Sequence, residues 1–387
     1  MKQSKRLQQL PEHFFSTLVG KVAEQIEAGH DVILLGRGNP DQPTPPHIVE
    51  ALKRAVDVPE NHGYSPFRAL PELKEAVAKF YKREYDVTLD PETEVAVLYG
   101  TKTGLVEIPL ALLNEGETIL LPDPGYPDYL SGVYLVNATL ETMPLLEKNQ
   151  FLPDYAALSE QVKEAAKMMY LNYPSNPTAA VAPLSFFEDT VEFAKARDIM
   201  VVHDFAYGGI GFDGKKPVSF LQADGAKDVG IETYSMSKTF NMAGWRVGFA
   251  VGNAQMIEAI HTLQDHLFID IFPAIQHAAI EALGEDQSAV DELVAMYESR
   301  RNAFVRACHD IGWNVHAPEA SFFAWLPVPA PHTSESFADL LLKEAHVAVA
   351  PGHGFGTYGE GYVRIGLLES EERLVEAVQR IAKLKLF

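Results

Sequence analysis

"IETYSMSKTFNMAGWRVGFAV", Ile231 to Val251, holds two short apolar runs on either side of a polar turn. The runs "IETYSM" (231–236) and "VGFAV" (247–251) read as strands, and the turn between them carries Lys238 among hydroxyl residues and Arg246 between a tryptophan and a valine. Four more runs of this kind lie upstream: "VAVLY" (95–99), "TILLP" (118–122), "MMYLN" (168–172) and "IMVVHD" (199–204). Continuous apolar runs with β-branched or aromatic content suit strands covered on both faces. Amphipathic stretches such as "KTGLVEIPLALLN" and "LSFFEDTVEFAKARD" separate them. The alternation predicts an α/β fold with a mostly parallel sheet.

From about Asp286 the pattern changes. A long charged helix, "SAVDELVAMYESRRNAFVRACHDIG", leads to strands "SFFAWLP", "VAVAP" and "YVRIGLL" and a closing helix, "SEERLVEAVQRIAKLKL". The expected organisation is a large domain over 46–285 and a smaller α+β domain over 286–387, joined by an N-terminal segment, 1–45. No internal repeat or low-complexity segment interrupts it.

Composition narrows the partners. The 387 residues carry a formal charge of −21, which argues against nucleic acid or an acidic membrane face. No apolar run approaches the roughly 20 residues of a membrane helix. The N-terminal "MKQSKRLQQLPEHFF" lacks the apolar stretch of a signal peptide. Cys308 is the single cysteine, so no intramolecular disulfide forms and a cytoplasmic location is expected. No metal site is read. A small anion remains possible wherever basic side chains and backbone N–H groups converge.

Ligands of open α/β sheets collect beyond the carboxyl ends of the strands, and the chemically interesting residues fall there. "IMVVHD" ends at Asp204, followed by Tyr207; "MMYLN" runs into "YPSNPTA" with Asn176; "IETYS" runs into Ser235, Ser237 and Lys238. "VAVLY" opens into "GTKTGL", with Gly100 and Thr101 at a helix N-terminus. Each has a plain reading: Asn-Pro forms turns, a strand-end Asp caps helices, and a lone lysine is solvated. Their coincidence at successive strand ends points to one ligand. The Thr101 loop, Ser235, Ser237 and Arg246 suit a phosphate. Asp204 suits a protonated ring nitrogen, Asn176 and Tyr207 a phenolate oxygen, and Lys238 an aldehyde. The molecule with all four features is pyridoxal 5′-phosphate.

Over essentially its whole length the chain resembles the fold-type-I pyridoxal-phosphate aminotransferases of class I/II. "SMSKTFNMAGWRVGF" is similar to the family's cofactor-lysine segment, and "YPSNPTA" and "HDFAYG" to two further cofactor segments. The resemblance implies that Lys238 joins the cofactor and that Gly100, Thr101, Lys102, Ser235, Ser237 and Arg246 surround its phosphate. Asp204 then pairs with the ring nitrogen, Asn176 and Tyr207 meet the ring hydroxyl, and Tyr126 of "PDPGYPDY" stacks on the ring. By the same likeness Arg364 of "YVRIGL" grips the substrate α-carboxylate and Gly38 of "LLGRGNPD" approaches it with its backbone. Tyr64 of "HGYSPFRALPELKEAV" reaches the cofactor phosphate of a neighbouring subunit, implying a homodimer with shared active sites.

Three positions depart from the family pattern. Ala179 stands where a glycine usually follows "NPT", and the stacking position is a tyrosine where animal-type aspartate aminotransferases have tryptophan. No Lys or Arg lies between Arg246 and Arg300, which leaves the distal-carboxylate arginine of those enzymes without a counterpart. The glycine-rich "PGHGFGTYGEG" lacks the ending of a phosphate loop and reads as a turn leading to Arg364.

The expected activity is transfer of an amino group from an amino acid to a 2-oxo acid in two half-reactions. "GNPDQPTP", "DPGYPDY", "SFFAWLPVP" and "GYVRIGLLESEERL" resemble most closely the family members that act on methionine and its oxo acid. Phe14 and Phe15 are read either as apolar pocket walls or as plain core. Aspartate and LL-diaminopimelate aminotransferases share the cofactor motifs and stand as alternatives, as does a β-eliminating C–S lyase. A cofactor- or effector-binding regulatory module is disfavoured, since no helix-turn-helix extension is read and the reactive lysine is intact.

Overall fold

Alternate residues of the central strands enter different cores. Val95, Val97, Leu120, Met169, Leu171, Val201, Tyr234, Phe249 and Val251 pack into one. Their neighbours Ala96, Leu98, Ile119, Leu121, Met168, Tyr170, Val202, Ile231 and Ala250 pack into another. A period of two with both sets apolar gives a sheet covered on both faces, as the unbroken apolar runs predict. The computed structural model describes residues 3–11, 14–268 and 270–387, without the side chains of Phe14 and Phe15.

In chain order the strands are β1 Ile33–Leu34, β2 Val95–Leu98, β3 Thr118–Asp123, β4 Thr139–Pro144, β5 Ala166–Leu171, β6 Met200–Asp204, β7 Gly230–Ser235, β8 Gly248–Gly252, β9 Phe323–Pro327, β10 Val347–Ala348, β11 Ala350–Pro351 and β12 Tyr362–Gly366. The seven-stranded central sheet has the order β2-β8-β7-β6-β5-β3-β4. Its inner pairs are parallel, while β8 runs against both β7 and β2. The edge strand β4 is absent from the sequence reading. Only one of its six residues, Met143, is fully buried, so it never forms an apolar run.

Helices cover both faces. Thr101–Leu112, Tyr129–Val136 and Ala254–Leu267 supply Leu105, Ile108, Val133, Ile257 and Ile260 to one. Pro71–Tyr85, Leu184–Arg197 and Pro273–Ala282 supply Val77, Phe80, Phe187, Ala194 and Ala278 to the other. A further core gathers Phe304 and Cys308 from Ser288–Asp310, Leu374 and Val378 from Glu371–Ala382, and the antiparallel sheet β11-β12-β9. Ile33 and Leu35 join this core, with β1 paired in parallel to β10.

Candidate active site

The carboxyl ends of β2, β3, β5, β6 and β7 open on one cavity of about 660 Å³, closed on its other side by residues 18–39 and by β9 and β12. Twelve of the residues singled out from the sequence line it: Gly38, Thr101, Lys102, Tyr126, Asn176, Asp204, Tyr207, Ser235, Ser237, Lys238, Arg246 and Arg364. Each follows from the local fold. β6 ends on Asp204, β7 ends on Ser235, and the short helix Met236–Thr239 then turns Lys238 inward. The Ser235 hydroxyl caps that turn by accepting from the backbone N–H of Ser237 at 3.2 Å.

Lys238 donates from Nζ to the carbonyl of Gly38 at 2.8 Å. Burial, reinforced by the charge of Arg364 and then Arg246 and opposed by Asp204, lowers its amine from 10.5 to about 8. Asp204 lies at 5% exposure, with Oδ2 accepting from the Tyr129 hydroxyl at 2.8 Å. Its Oδ1 has no hydrogen-bond donor among the described residues. Burial therefore raises the carboxyl above its ordinary value, with the Tyr129 hydroxyl opposing the shift. A cationic N–H placed at Oδ1 would remove that penalty.

A group of N–H, hydroxyl and guanidinium donors suited to an anion lies beside it. The helix Thr101–Leu112 presents its N-terminus to the cavity, close to Ser235, Ser237 and Arg246. Gly100 does not line the cavity. A Cβ there would fall 2.3 Å from a guanidinium nitrogen of Arg246, so the glycine, at φ +76°, lets that cation reach the helix end. Arg246 is itself held at φ +59° and donates to the carbonyl of Ala243 at 2.8 Å. The ammonium of Lys102 is paired with Asp128 at 2.9 Å.

Arg364 is buried, with its guanidinium carbon 4.1 Å from the ring centre of Phe323 and 4.7 Å from that of Phe355. It donates to Asn176 Oδ1 at 2.7 Å and to the carbonyl of Gly36 at 3.2 Å. Desolvation brings it down to about 10. Gly38 lies against both groups, where a Cβ would meet Phe323 at 3.3 Å and Arg364 at 3.8 Å. Tyr207 is wedged edge-on against Phe322 and Phe323, and Tyr126 against Tyr129.

Sequence reasoning missed several of these groups. Tyr129, three residues after Tyr126, holds Asp204. Asn172, the last residue of a quoted strand run, donates to the Asp204 carbonyl at 2.7 Å and accepts from the Asn176 N–H at 2.7 Å. Its strand-end position was the available signal. Leu18, Val19, Val22 and Leu34 form an apolar wall, beside which stand Arg37 and Asn39. Phe14 and Phe15 lie outside the described side chains. Tyr64 is 89% exposed and away from the cavity of its own chain.

A charged amine of lowered basicity, a buried carboxylate with one oxygen lacking a donor, a cationic pocket beside a helix N-terminus and a buried guanidinium suit the cofactor that the sequence implies. No described helix is long and apolar enough to cross a membrane, and no described cluster of His, Cys, Asp and Glu could hold a metal. The family model described as "Aminotransferase class I and II" matches residues 30–381. An L-glutamine–4-(methylsulfanyl)-2-oxobutanoate aminotransferase of Bacillus subtilis (strain 168) is 65% identical, covering 100% of this chain and 97% of that protein. An LL-diaminopimelate aminotransferase of Desulforudis audaxviator (strain MP104C) is 45% identical over 98% of this chain and 97% of its own length. The solved substrate-bound structure of BacF from Bacillus subtilis superposes with a TM-score of 0.96 at 47% identity, covering 100% of this chain and 98% of that one.

Proposed function

The chain belongs to the class I and II aminotransferases, and from that premise we propose that it works with pyridoxal 5′-phosphate on an unbranched, weakly polar amino acid and its 2-oxo acid. One observation carries the cofactor reading. The amine of Lys238 and the donorless Oδ1 of Asp204 share a cavity with an anion cradle.

When bound, the cofactor supplies an aldehyde for an amine and an electron sink for charge left at carbon when a proton departs. Asp204 would accept from its ring N–H, and Asn176 and Tyr207 would face its ring oxygen. Ser235, Ser237, Arg246 and the helix end at Thr101 would hold its phosphate, and Tyr126 would cover its face. Lys238, held near 8, is a base of the right strength to take the proton from the substrate α-carbon and give it back. Arg364 would fork the α-carboxylate, its guanidinium already packed against Phe323 and Phe355. Burial of Arg364 against those two rings would strengthen the pairing.

The substrate reading rests on the cavity wall and on the relative's name. Glutamine and 4-(methylsulfanyl)-2-oxobutanoate carry unbranched side chains of similar length, one ending in an amide and the other in a thioether. Leu18, Val19, Val22 and Leu34 suit the thioether, while Arg37 and Asn39 offer donors to the amide. We infer that both enter one pocket, glutamine as donor and the thioether oxo acid as acceptor, with methionine reacting in reverse. An apolar wall separates neighbours by only about 1–3 kcal/mol per methylene, so leucine and phenylalanine should react too. A donor screen of the twenty amino acids and diaminopimelate tests this. Aspartate or diaminopimelate with kcat/KM well above glutamine and methionine would overturn the substrate and leave aminotransfer intact. Turnover without any oxo acid would instead favour the lyase.

The larger body (46–285) is read as the cofactor domain and 286–387, with 1–45, as the lid side of the cavity. A cytoplasmic homodimer is the inferred working form. Its support is the single buried cysteine and the exposed aromatic and aliphatic side chains Tyr64, Phe67, Tyr99, Leu267 and Phe272.

A further inference from the structure

The glycine-rich "PGHGFGTYGEG" (351–361) reads from sequence as a plain turn, yet it wraps a buried carboxylate at the end of β3. Asp123, the last residue of β3, is 7% exposed and has no cationic partner among the described residues. Its Oδ2 accepts from the backbone N–H of Thr357 at 3.1 Å and its Oδ1 from that of Tyr358 at 2.9 Å. Two residues on, the Gly125 N–H donates to the carbonyl of Phe355 at 2.8 Å. The glycines make this approach possible. A Cβ on Gly356, at φ +135°, would lie 2.1 Å from Asp123 Oδ1. Gly352 and Gly359 close the turn on each other, where a Cβ on either would fall 2.0 Å from the other's carbonyl.

The turn so held carries Phe355, one of the two rings against Arg364, and Asp123 stands three residues before Tyr126, which lines the same cavity. We propose that Asp123 is a positioning residue for substrate binding: its carboxylate pins the glycine-rich turn to the end of β3 and so keeps Phe355 on the face of Arg364. This rests on the reading of Arg364 as the carboxylate-binding group. Without the pin, the backbone N–H groups of Thr357 and Tyr358 lose their acceptor and the turn moves away. Phe355 then leaves Arg364, whose guanidinium loses that packing and whose pairing with a carboxylate weakens. Asp204, Ser235, Ser237, Lys238 and Arg246, which would hold the cofactor's nitrogen, aldehyde and phosphate, stand on other elements and keep their places.

The test compares Asp123→Asn, Gly356→Ala and the double variant of the full-length holoenzyme. Asn replaces one acceptor by a donor facing a backbone N–H; the alanine pushes the turn off from the other side. Hydrogen bonds to a charged group contribute enough that each single variant should raise KM for the amino acid about tenfold or more. Each should also raise the calorimetric Kd of 4-(methylsulfanyl)butanoate, a carboxylate without amino or oxo group, by the same factor. Exchange of the Thr357 and Tyr358 amides should quicken, while kcat stays within about threefold and the cofactor absorbance is unchanged. Because both variants break one contact, the double variant should be no worse than the poorer single. Should one variant fail to fold, the other carries the test.

Arg364→Lys, measured beside them, separates the two readings. Weakened carboxylate binding in Arg364→Lys with none in Asp123→Asn or Gly356→Ala overturns the inference alone, as does a lower Tm with KM and Kd unchanged. Unweakened binding in Arg364→Lys overturns the reading of that arginine and the inference with it.

Discussion

The amine of Lys238 sits where its charge is disfavoured, and this has a consequence for stability as well as chemistry. The unfolded amine titrates at 10.5 and the folded one at about 8. Between those values the unfolded chain binds more protons, so folding stability of the cofactor-free protein rises as pH climbs through that window. Below about 8 the cost of the buried charge is present in full. Replacing the amine by an uncharged chain of similar length, Lys238→Met, removes it. The variant should therefore be more stable than the parent at pH 7, on the order of 1–3 kcal/mol. The advantage should shrink as pH rises from about 8 and vanish only above 10.5. Urea unfolding of both cofactor-free proteins across that range measures the difference, and a gap independent of pH would show that Lys238 is not the buried cation it is taken for. The same substitution should abolish turnover, and borohydride reduction of the parent followed by peptide mapping should mark Lys238.

Turns and strands show where the sequence was readable and where it was not. Apolar runs revealed the central strands because both faces are buried; β4, half-exposed at the sheet edge, left no such trace. Strand-end polar residues disclosed Asp204, Asn176 and Lys238, but Tyr129 and Phe355 reach the site through packing across distant elements, which no spacing encodes. Gly100 and the glycine-rich turn were visible as glycines; what they make room for was not. Ala179 is a further case. It departs from the usual glycine after "NPT", and the structure shows it at φ +57°, inside a turn closed by its N–H to Ser175 at 2.9 Å and by the Ser175 N–H to Ala180 at 2.9 Å. A left-handed alanine costs roughly 1–2 kcal/mol, of which part returns as the lower unfolded-state entropy of a residue with a Cβ. Ala179→Gly should accordingly stabilise the protein by about 0.5–1 kcal/mol with KM and kcat within about twofold, since the residue packs behind Tyr207 and Phe323 and does not itself line the cavity. Thermal and urea unfolding decide the sign. A loss of stability would mean that the turn is fixed by its neighbours and that the backbone pays nothing for the alanine.

At the scale of the molecule, Tyr64, which the resemblance assigns to a cofactor phosphate, stands apart from the cavity of its own chain. Tyr64 is 89% exposed, on a segment whose Arg68 is tied to Glu258 and Asp265 of the helix Ala254–Leu267. That helix end exposes Leu267, and Phe272 lies against His62 with ring centres 5.9 Å apart. Exposed apolar side chains of this kind suit burial against a second copy. In such a pair Tyr64 would serve the partner's cavity and not its own. Mixing inactive Lys238→Ala subunits with Tyr64→Phe subunits separates the two geometries. If Tyr64 acts across the interface, each mixed dimer holds one site with both defects and one with neither. Equal mixing, with half the dimers mixed, should then restore about a quarter of wild-type activity at substrate levels where the parents show little. If Tyr64 serves its own chain, the mixed dimer holds one site without the lysine and one without the hydroxyl, and mixing adds nothing to the parents. Activity that stays at the parental level after verified subunit exchange would therefore assign Tyr64 to its own chain or to no site.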